Sequence, residues 1–346
     1  TFGVTWALLI TTLAASTVLV ASSHHWLLAW LGLELNTLSI LPIIMKPAHP
    51  RATEATIKYF LIQTTAAAMI LFAGTINTWQ TGQWTITHTP SPLTTTTMTI
   101  AILLKLGLAP THLWYPDVLQ GATMNTALIL STWQKLAPFA LLATMSNHLP
   151  PEALLLLGLV SALTGGWLGL NQTQVRKILA ASSIAHMGWL IAALAISPPI
   201  ATLTLMIYIM MTTTVFSQLN ITETKTTHDI STSWTHSPAL NLTTMLALIS
   251  LGGLPPTTGF MPKWLILKDM LSANLTLLAL TILMASLPSL FFYLRLTYIS
   301  TLTAPPTTTT TEYKWRLKTN PQKTLSPLLT LTTLLLPLAP LLYNTT

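Results

Sequence analysis

The chain has 346 residues, 51% of them hydrophobic and only 7% charged, against about 25% charged in a soluble domain; it is a polytopic membrane protein, and an ordinary soluble domain is excluded. The formal net charge of +7 comes from 15 basic and 8 acidic residues scattered singly or in short loop clusters, without the pattern of a nucleic-acid binder. With no cysteine the chain offers no disulfide, no Cys-ligated zinc or iron–sulfur cluster and no thiol chemistry, so any redox centre belongs to another chain.

A bilayer core of about 30 Å takes roughly 20 residues of helix at about 1.5 Å per residue. In chain order, apolar segments of that kind run over 3–22, 25–44, 55–77, 93–119, 122–146, 151–172, 174–196, 199–219, 238–271, 274–299 and 324–343. They predict an all-α fold of eleven transmembrane helices in one transmembrane domain, 1–346. The chain enters the first segment directly, with no Arg- and Ser-rich transit peptide, so no cleaved leader is expected. Two segments are too long for one straight span and are interrupted by glycine and proline. These are 93–119, at Leu106-Gly107-Leu108-Ala109-Pro110, and 238–271, at Leu251-Gly252-Gly253-Leu254-Pro255-Pro256. Each reads as one broken helix, because separate halves would be too short to span.

Loop charge gives an orientation. The loops after helices 2, 6, 8 and 10 hold Lys46, Arg51, Lys58, Arg176, Lys177, Lys225, Lys314, Arg316, Lys318 and Lys323, whereas the other side carries little beyond Lys268. The positive-inside rule then puts the N-terminus on the cytoplasmic or matrix side and the C-terminus outside. Helices 1–5 (about 3–146) and 6–10 (about 151–299) form two sets of five, each with its fourth member broken, before the last helix at 324–343. An odd number per set makes them inverted repeats, which is a transporter layout.

Glu34, Lys105, Lys135 and Lys263 fall near the middle of spans. A central charge costs roughly 2.5 to 3.5 kcal/mol on insertion scales, so such residues face a polar interior and mark ion or proton paths. Proline loosens the helix beside each lysine by removing an N–H and freeing the carbonyl four residues back. Pro110 frees that of Leu106 beside Lys105, and Pro138 frees that of Gln134 beside Lys135. Pro255, Pro256 and Pro262 free those of Leu251, Gly252 and Thr258 near Lys263. Irregular backbone at this depth survives only when buried in protein or lining a hydrated cavity. Glu34 needs a partner, and Lys105 is the natural one, since making or breaking such a pair changes both protonation states. His112 and His186 lie at similar depth and are possible relay groups, because imidazole protonates reversibly near neutral pH. Neither has a ligand at metal-binding spacing. The bland alternative makes the lysines partners of helix carbonyls and the histidines satisfied core residues. Asp117, Glu54, Lys58 and Arg51 near helix ends read as ordinary solvated charge, and Arg176-Lys177 as a topology signal.

Several stretches carry a resemblance: Trp30-Leu31-Gly32-Leu33-Glu34, Pro50-Arg51-Ala52-Thr53-Glu54-Ala55 with Lys58-Tyr59-Phe60, and Lys105-Leu106-Gly107-Leu108-Ala109-Pro110 with His112 and Trp114. Asn171-Gln172-Thr173-Gln174, Arg176-Lys177-Ile178-Leu179-Ala180, His186-Met187-Gly188-Trp189 and Leu251-Gly252-Gly253-Leu254-Pro255-Pro256 with Pro262-Lys263-Trp264 follow in order. In these the chain resembles the antiporter-like membrane-arm subunits of mitochondrial respiratory complex I, relatives of Mrp-type cation/proton antiporters. It departs at Thr111, where Phe is expected, and at Ala181, where Tyr is usual. The resemblance implies that Glu34 pairs with Lys105, that Lys135 passes charge on to Lys263, and that His112 and His186 lie on the same hydrated axis. It implies coupling of electron transfer from NADH to ubiquinone, in other subunits, to proton translocation across the mitochondrial inner membrane. NAD, FMN, iron–sulfur clusters and ubiquinone would sit in those other subunits, with no cofactor and no metal in this chain. Implied partners are other membrane-arm subunits, a neighbouring antiporter-like subunit among them, and phospholipids, but no nucleic acid. The alternatives are an autonomous cation/proton antiporter, which calls for more mid-membrane carboxylate than Glu34, and a structural subunit without its own proton path.

Overall fold

The computed structural model describes residues 2–86, 91–235, 238–304 and 325–338. Their regular elements are all helices, with two isolated antiparallel bridges, His25–Thr85 and Gln174–Thr226. In order these are α1 (Phe2–Ser22), α2 (Trp26–Met45), α3 (Pro50–Thr81), α4 (Pro92–Leu106), α5 (Trp114–Gly121), α6 (Met124–Ser131), α7 (Leu136–Met145) and α8 (Pro151–Gly169). There follow α9 (Val175–Ile196), α10 (Pro198–Ile221), α11 (Thr227–Thr232), α12 (Pro238–Gly252), α13 (Phe260–Ser272), α14 (Thr276–Leu302) and α15 (Leu325–Leu334). The chain packs as two compact units, Thr1–Leu157 and Gly158–Thr346, divided within α8.

Among the described residues seven helices, α1, α2, α3, α8, α9, α10 and α14, are long and apolar enough to cross a membrane, while α4, α12 and α15 are apolar but shorter. The two interrupted segments are broken as expected, 93–119 into α4 and α5 and 238–271 into α12 and α13. A third interruption corrects the sequence reading. Segment 122–146 is not one helix but α6, a 3₁₀ turn at Trp133–Lys135, and α7. Of the expected last helix 324–343 the described part is α15 and a 3₁₀ turn at Leu336–Leu338; the remainder, and the basic cluster Lys314 to Lys323, lie outside the described residues.

Helix starts follow local chemistry. Ser91 caps α4 by accepting the Thr94 N–H, with Pro92 at the position where a missing N–H costs nothing. The many threonines and serines return their hydroxyls to carbonyls a turn earlier, as Thr97 does to Leu93 at 2.9 Å and Ser183 to Ala180 at 2.8 Å. Threonine is thereby made compatible with an apolar helix.

In the second unit α9 is the core helix, with 89% of its apolar window buried. It meets α8 backbone to backbone: a Cβ on Gly188 would lie 2.7 Å from both the Ala162 nitrogen and the Gly158 carbonyl oxygen. Small residues at membrane helix crossings permit such approach. Arg295 of α14, which the sequence reading passed over, donates through Nη1 to the Leu170 carbonyl and through Nη2 to the Gln172 carbonyl at 2.7 Å. Its charge therefore closes the C-terminal end of α8, where cations are favoured. The α8–α9 and α10–α11 loops are tied by Val175 N–H to Lys225 O at 3.1 Å and Thr227 N–H to Thr173 O at 2.9 Å. Arg176-Lys177 and Lys225 thus share one face of this unit. The Asp229 carboxylate holds that corner by accepting the Thr226 and Lys225 N–H groups at 2.8 and 2.9 Å, and these bonds keep its carboxyl below the ordinary carboxylate value.

Two outcomes are expected. Gly188→Leu forces α8 and α9 apart and lowers stability by about 1–3 kcal/mol, the range for overpacking, read as an earlier thermal transition in detergent; an unchanged transition would contradict the crossing. Because the folded carboxyl of Asp229 titrates below its unfolded value, its contribution is fully present at neutral pH and fades only as pH falls through the folded value. Asp229→Asn therefore speeds amide exchange at Val175 and Thr227 at pH 7 and loses that effect in strong acid.

Candidate functional site

The first site grows from two helix breaks in the first unit. α4 stops because Gly107 takes φ +71°, a left-handed conformation that closes a helix C-terminus. The N–H groups of Gly107 and Leu108 turn back to the Leu103 carbonyl at 2.9 and 3.1 Å. Residues 107–113 are then irregular until α5 begins. Lys105, in the last turn of α4, is only 7% exposed, and among the described residues its Nζ has no hydrogen-bond partner. The second break surrounds Lys135. Pro138 denies the Gln134 carbonyl its helical N–H, and the chain answers with a 3₁₀ turn, the Leu136 N–H reaching Trp133 O. Lys135 is 2% exposed, with Nζ 5.0 Å from the centre of the Tyr115 ring, within cation–π range.

Both lysines line one small cavity of about 20 Å³, walled also by Asn36, Tyr59, Gln63, Trp114, Tyr115 and Gln134. Part of the wall is a polar network: Gln134 Nε2 donates to Asn36 Oδ1 at 3.0 Å, and the Tyr59 hydroxyl donates to Gln134 Oε1 at 3.4 Å. Sequence reasoning missed Asn36, Gln63 and Gln134. The available signal was an amide side chain inside an apolar span, which is costly unless bonded.

Glu34 departs from expectation. No ion pair or hydrogen bond joins it to Lys105, whose Nζ stays unpartnered. Its Oε2 instead accepts the Thr37 hydroxyl at 3.0 Å, and the residue is half-buried and not among the cavity walls. Leu33, Asn36 and Thr37 form the wall face of α2, and at about 100° per residue Glu34 lies at its edge. His112 sits in the 107–113 segment, buried, with Nδ1 unpartnered, and does not line the cavity either.

The second unit repeats the theme. Gly253, at φ +75°, ends α12, and residues 253–259 are irregular before α13. Lys263 folds back across this break and donates to the Gly252 carbonyl at 2.9 Å, one of the acceptors that proline sets free. A Cβ on Gly253 would lie 2.9 Å from that Nζ. Lys263 and His186 line one small cavity of about 20 Å³ with Trp189, Thr204 and Tyr208. The His186 ring lies 5.7 Å from that of Tyr208, and its Nε2 is 3.5 Å from the Tyr293 hydroxyl. Among the described residues no cluster of His, Asp or Glu could hold a metal ion.

Lysines set beside breaks in apolar helices are common to both units of this membrane protein. A family described as NADH:quinone oxidoreductase/Mrp antiporter, TM, matches residues 23–289, and one described as NADH dehydrogenase subunit 2 C-terminus matches 290–343. The chain belongs to the NADH:quinone oxidoreductase/Mrp antiporter family. It is 52% identical over 340 residues to the NADH-ubiquinone oxidoreductase chain 2 of Carassius auratus and 50% identical over 339 residues to that of Xenopus laevis, with 98% of each chain covered in both cases. Among solved structures it is similar to a chain of respiratory complex I from Thermus thermophilus, with a TM-score of 0.84 and 28% identity over 97% of this chain and 79% of that one. A chain of the Mrp complex from Dietzia sp. shares the fold at a TM-score of 0.76 and 15% identity, over 86% of this chain and 61% of that one.

The amide network gives a test. Gln134→Leu strands the buried Asn36 oxygen and costs about 1–3 kcal/mol, whereas adding Asn36→Leu recovers part of that loss, as a double-mutant cycle on thermal stability measures. Strict additivity of the two losses would mean that the amides are not coupled.

Proposed function

We propose that this chain is a membrane-arm subunit of respiratory complex I that couples oxidation of NADH by ubiquinone, carried out in other subunits, to proton translocation. The observation that carries this reading is the shared cavity of Lys105 and Lys135, with one ammonium unpartnered and a broken helix beside each. A proton needs sites that can be charged or neutral at little cost and a polar path between them. Two such charges about 7 Å apart interact by roughly 2 kcal/mol at an effective dielectric near 20, enough to drive a proton from one site when the other changes. In this relay Glu34 acts on Lys105 by its field, Lys105 on Lys135, and the signal continues to Lys263 in the order the resemblance gives, with His186 beside it. His112 is assigned no step.

The same reading puts the protein in the mitochondrial inner membrane, N-terminus on the matrix side, among other membrane-arm subunits and phospholipids, with NAD, FMN, iron–sulfur clusters and ubiquinone held elsewhere. Eleven helices, two inverted sets of five and a last one, are supported by one long break per unit, 107–113 and 253–259, each opened by a glycine of positive φ. A structural role has its best support at Lys263, which caps α12.

In the assembled complex, Lys105→Met and Lys135→Met each lower the protons moved per electron while NADH oxidation by a soluble acceptor persists. An unchanged ratio in both variants would refute the relay. Sodium flux through liposomes holding the isolated chain would favour an autonomous antiporter instead.

A further inference from the structure

The break at 253–259 falls inside a segment long enough to span the membrane, so its polar groups must be met within the protein. Most are met locally. The Gly253 N–H closes onto the Ser250 carbonyl at 3.0 Å, and the Met261 N–H reaches the Thr258 carbonyl at 3.1 Å. The Leu254 carbonyl accepts twice, from the Thr257 N–H at 3.1 Å and from the Thr257 hydroxyl at 2.8 Å. Both its lone pairs are then used. The carbonyl four residues before Thr258, a usual partner for a threonine hydroxyl, is therefore already taken.

Thr258 is 2% exposed, and its hydroxyl finds a partner 74 residues away by donating to the Thr332 carbonyl of α15. Thr332 is 1% exposed, and its carbonyl is among the last four of α15, which have no N–H of their own helix to accept from. Each group supplies what the other lacks. Packing of α15 against α10 and α12 brings Thr332 beside the break. The next residue, Gly259, is pinned by other neighbours: a Cβ there would overlap the Ser250 carbonyl oxygen and lie 3.1 Å from Met211 Sδ. Gly259 and Met211 are both walls of the cavity that Lys263 and His186 line, and Lys263 crosses the same break to the Gly252 carbonyl.

We propose that α15 is a clamp on this break and that Thr258 is a positioning residue. Its hydroxyl bond to α15 fixes residues 253–259 so that Lys263 meets the Gly252 carbonyl and Gly259 completes the cavity wall. The inference rests on the reading of Lys263 as a proton carrier, and Thr258 acts only through the backbone that Lys263 crosses. Without the hydroxyl the Thr332 carbonyl is left buried and unpaired, which costs more than the bond itself contributes. The break then separates from α15, and the crossing made by Lys263 loses its fixed geometry.

Three substitutions in the assembled complex test this. Thr258→Val keeps the shape and loses the hydroxyl, Thr258→Ala does so without a second methyl to crowd the site, and Thr258→Ser keeps the donor. The Val and Ala variants exchange the Gly253, Thr257 and Met261 amides about fivefold faster, the scale of one lost hydrogen bond. Both move fewer protons per electron while NADH oxidation by a soluble acceptor persists, and Thr258→Ser restores exchange and proton ratio together. Unchanged exchange in both variants, or a Ser variant that behaves like Val, would overturn the clamp. Faster exchange at an unchanged proton ratio would reduce the bond to a staple and overturn the positioning role. Lys263→Met separates the two readings: if it pumps like the parent, Lys263 carries no proton and the relay has failed there, while exchange still decides the clamp. If Lys263→Met lowers the ratio and Thr258→Val does not, only the positioning role has failed.

Discussion

No N–H or carbonyl in a bilayer core can turn to lipid for a hydrogen bond, and each one left unpaired costs several kcal/mol. Every distinctive feature of this chain follows from where that rule is relaxed. Helices break at Gly107, near Pro138 and at Gly253, and the freed groups are met by backbone turns, by side chains or by space. Lys263 meets one of them directly at the Gly252 carbonyl. Gly107 and Leu108 meet another by closing onto Leu103, which leaves Lys105 with nothing to cap. A break can therefore consume a lysine or release it, and the two units show one case each.

That difference separates the lysines by environment. Lys263 has a carbonyl, Lys135 faces an aromatic ring, and Lys105 has neither. In the first unit Glu34 and Lys105 make no ion pair, and the Thr37 hydroxyl gives the carboxylate a local partner instead.

Much of the fold was legible in the sequence because lipid imposes one period and one length. The apolar runs, the glycine–proline interruptions and the loop lysines are all composition written along the chain. The break within 122–146 was half legible: Pro138 gave the freed carbonyl of Gln134, but a single proline also fits a kink, and only packing chose the 3₁₀ turn. The buried lysines stood out because charge in an apolar run has few explanations. The amides did not, since Asn36, Gln63 and Gln134 reveal a wall only when three distant helices bring them together. Arg295 escaped for a similar reason: its partners, the Leu170 and Gln172 carbonyls, are more than a hundred positions away.

The charges near helix ends carry the same lesson further. Glu54 and Lys58 are a helix pair four residues apart, and an exposed pair of that kind contributes only a few tenths of a kcal/mol. Asp117 changes its meaning by joining two helices that both reach the buried cavity. Long-range pairing across a cleft gains little stability in water, so it is poorly explained as a staple.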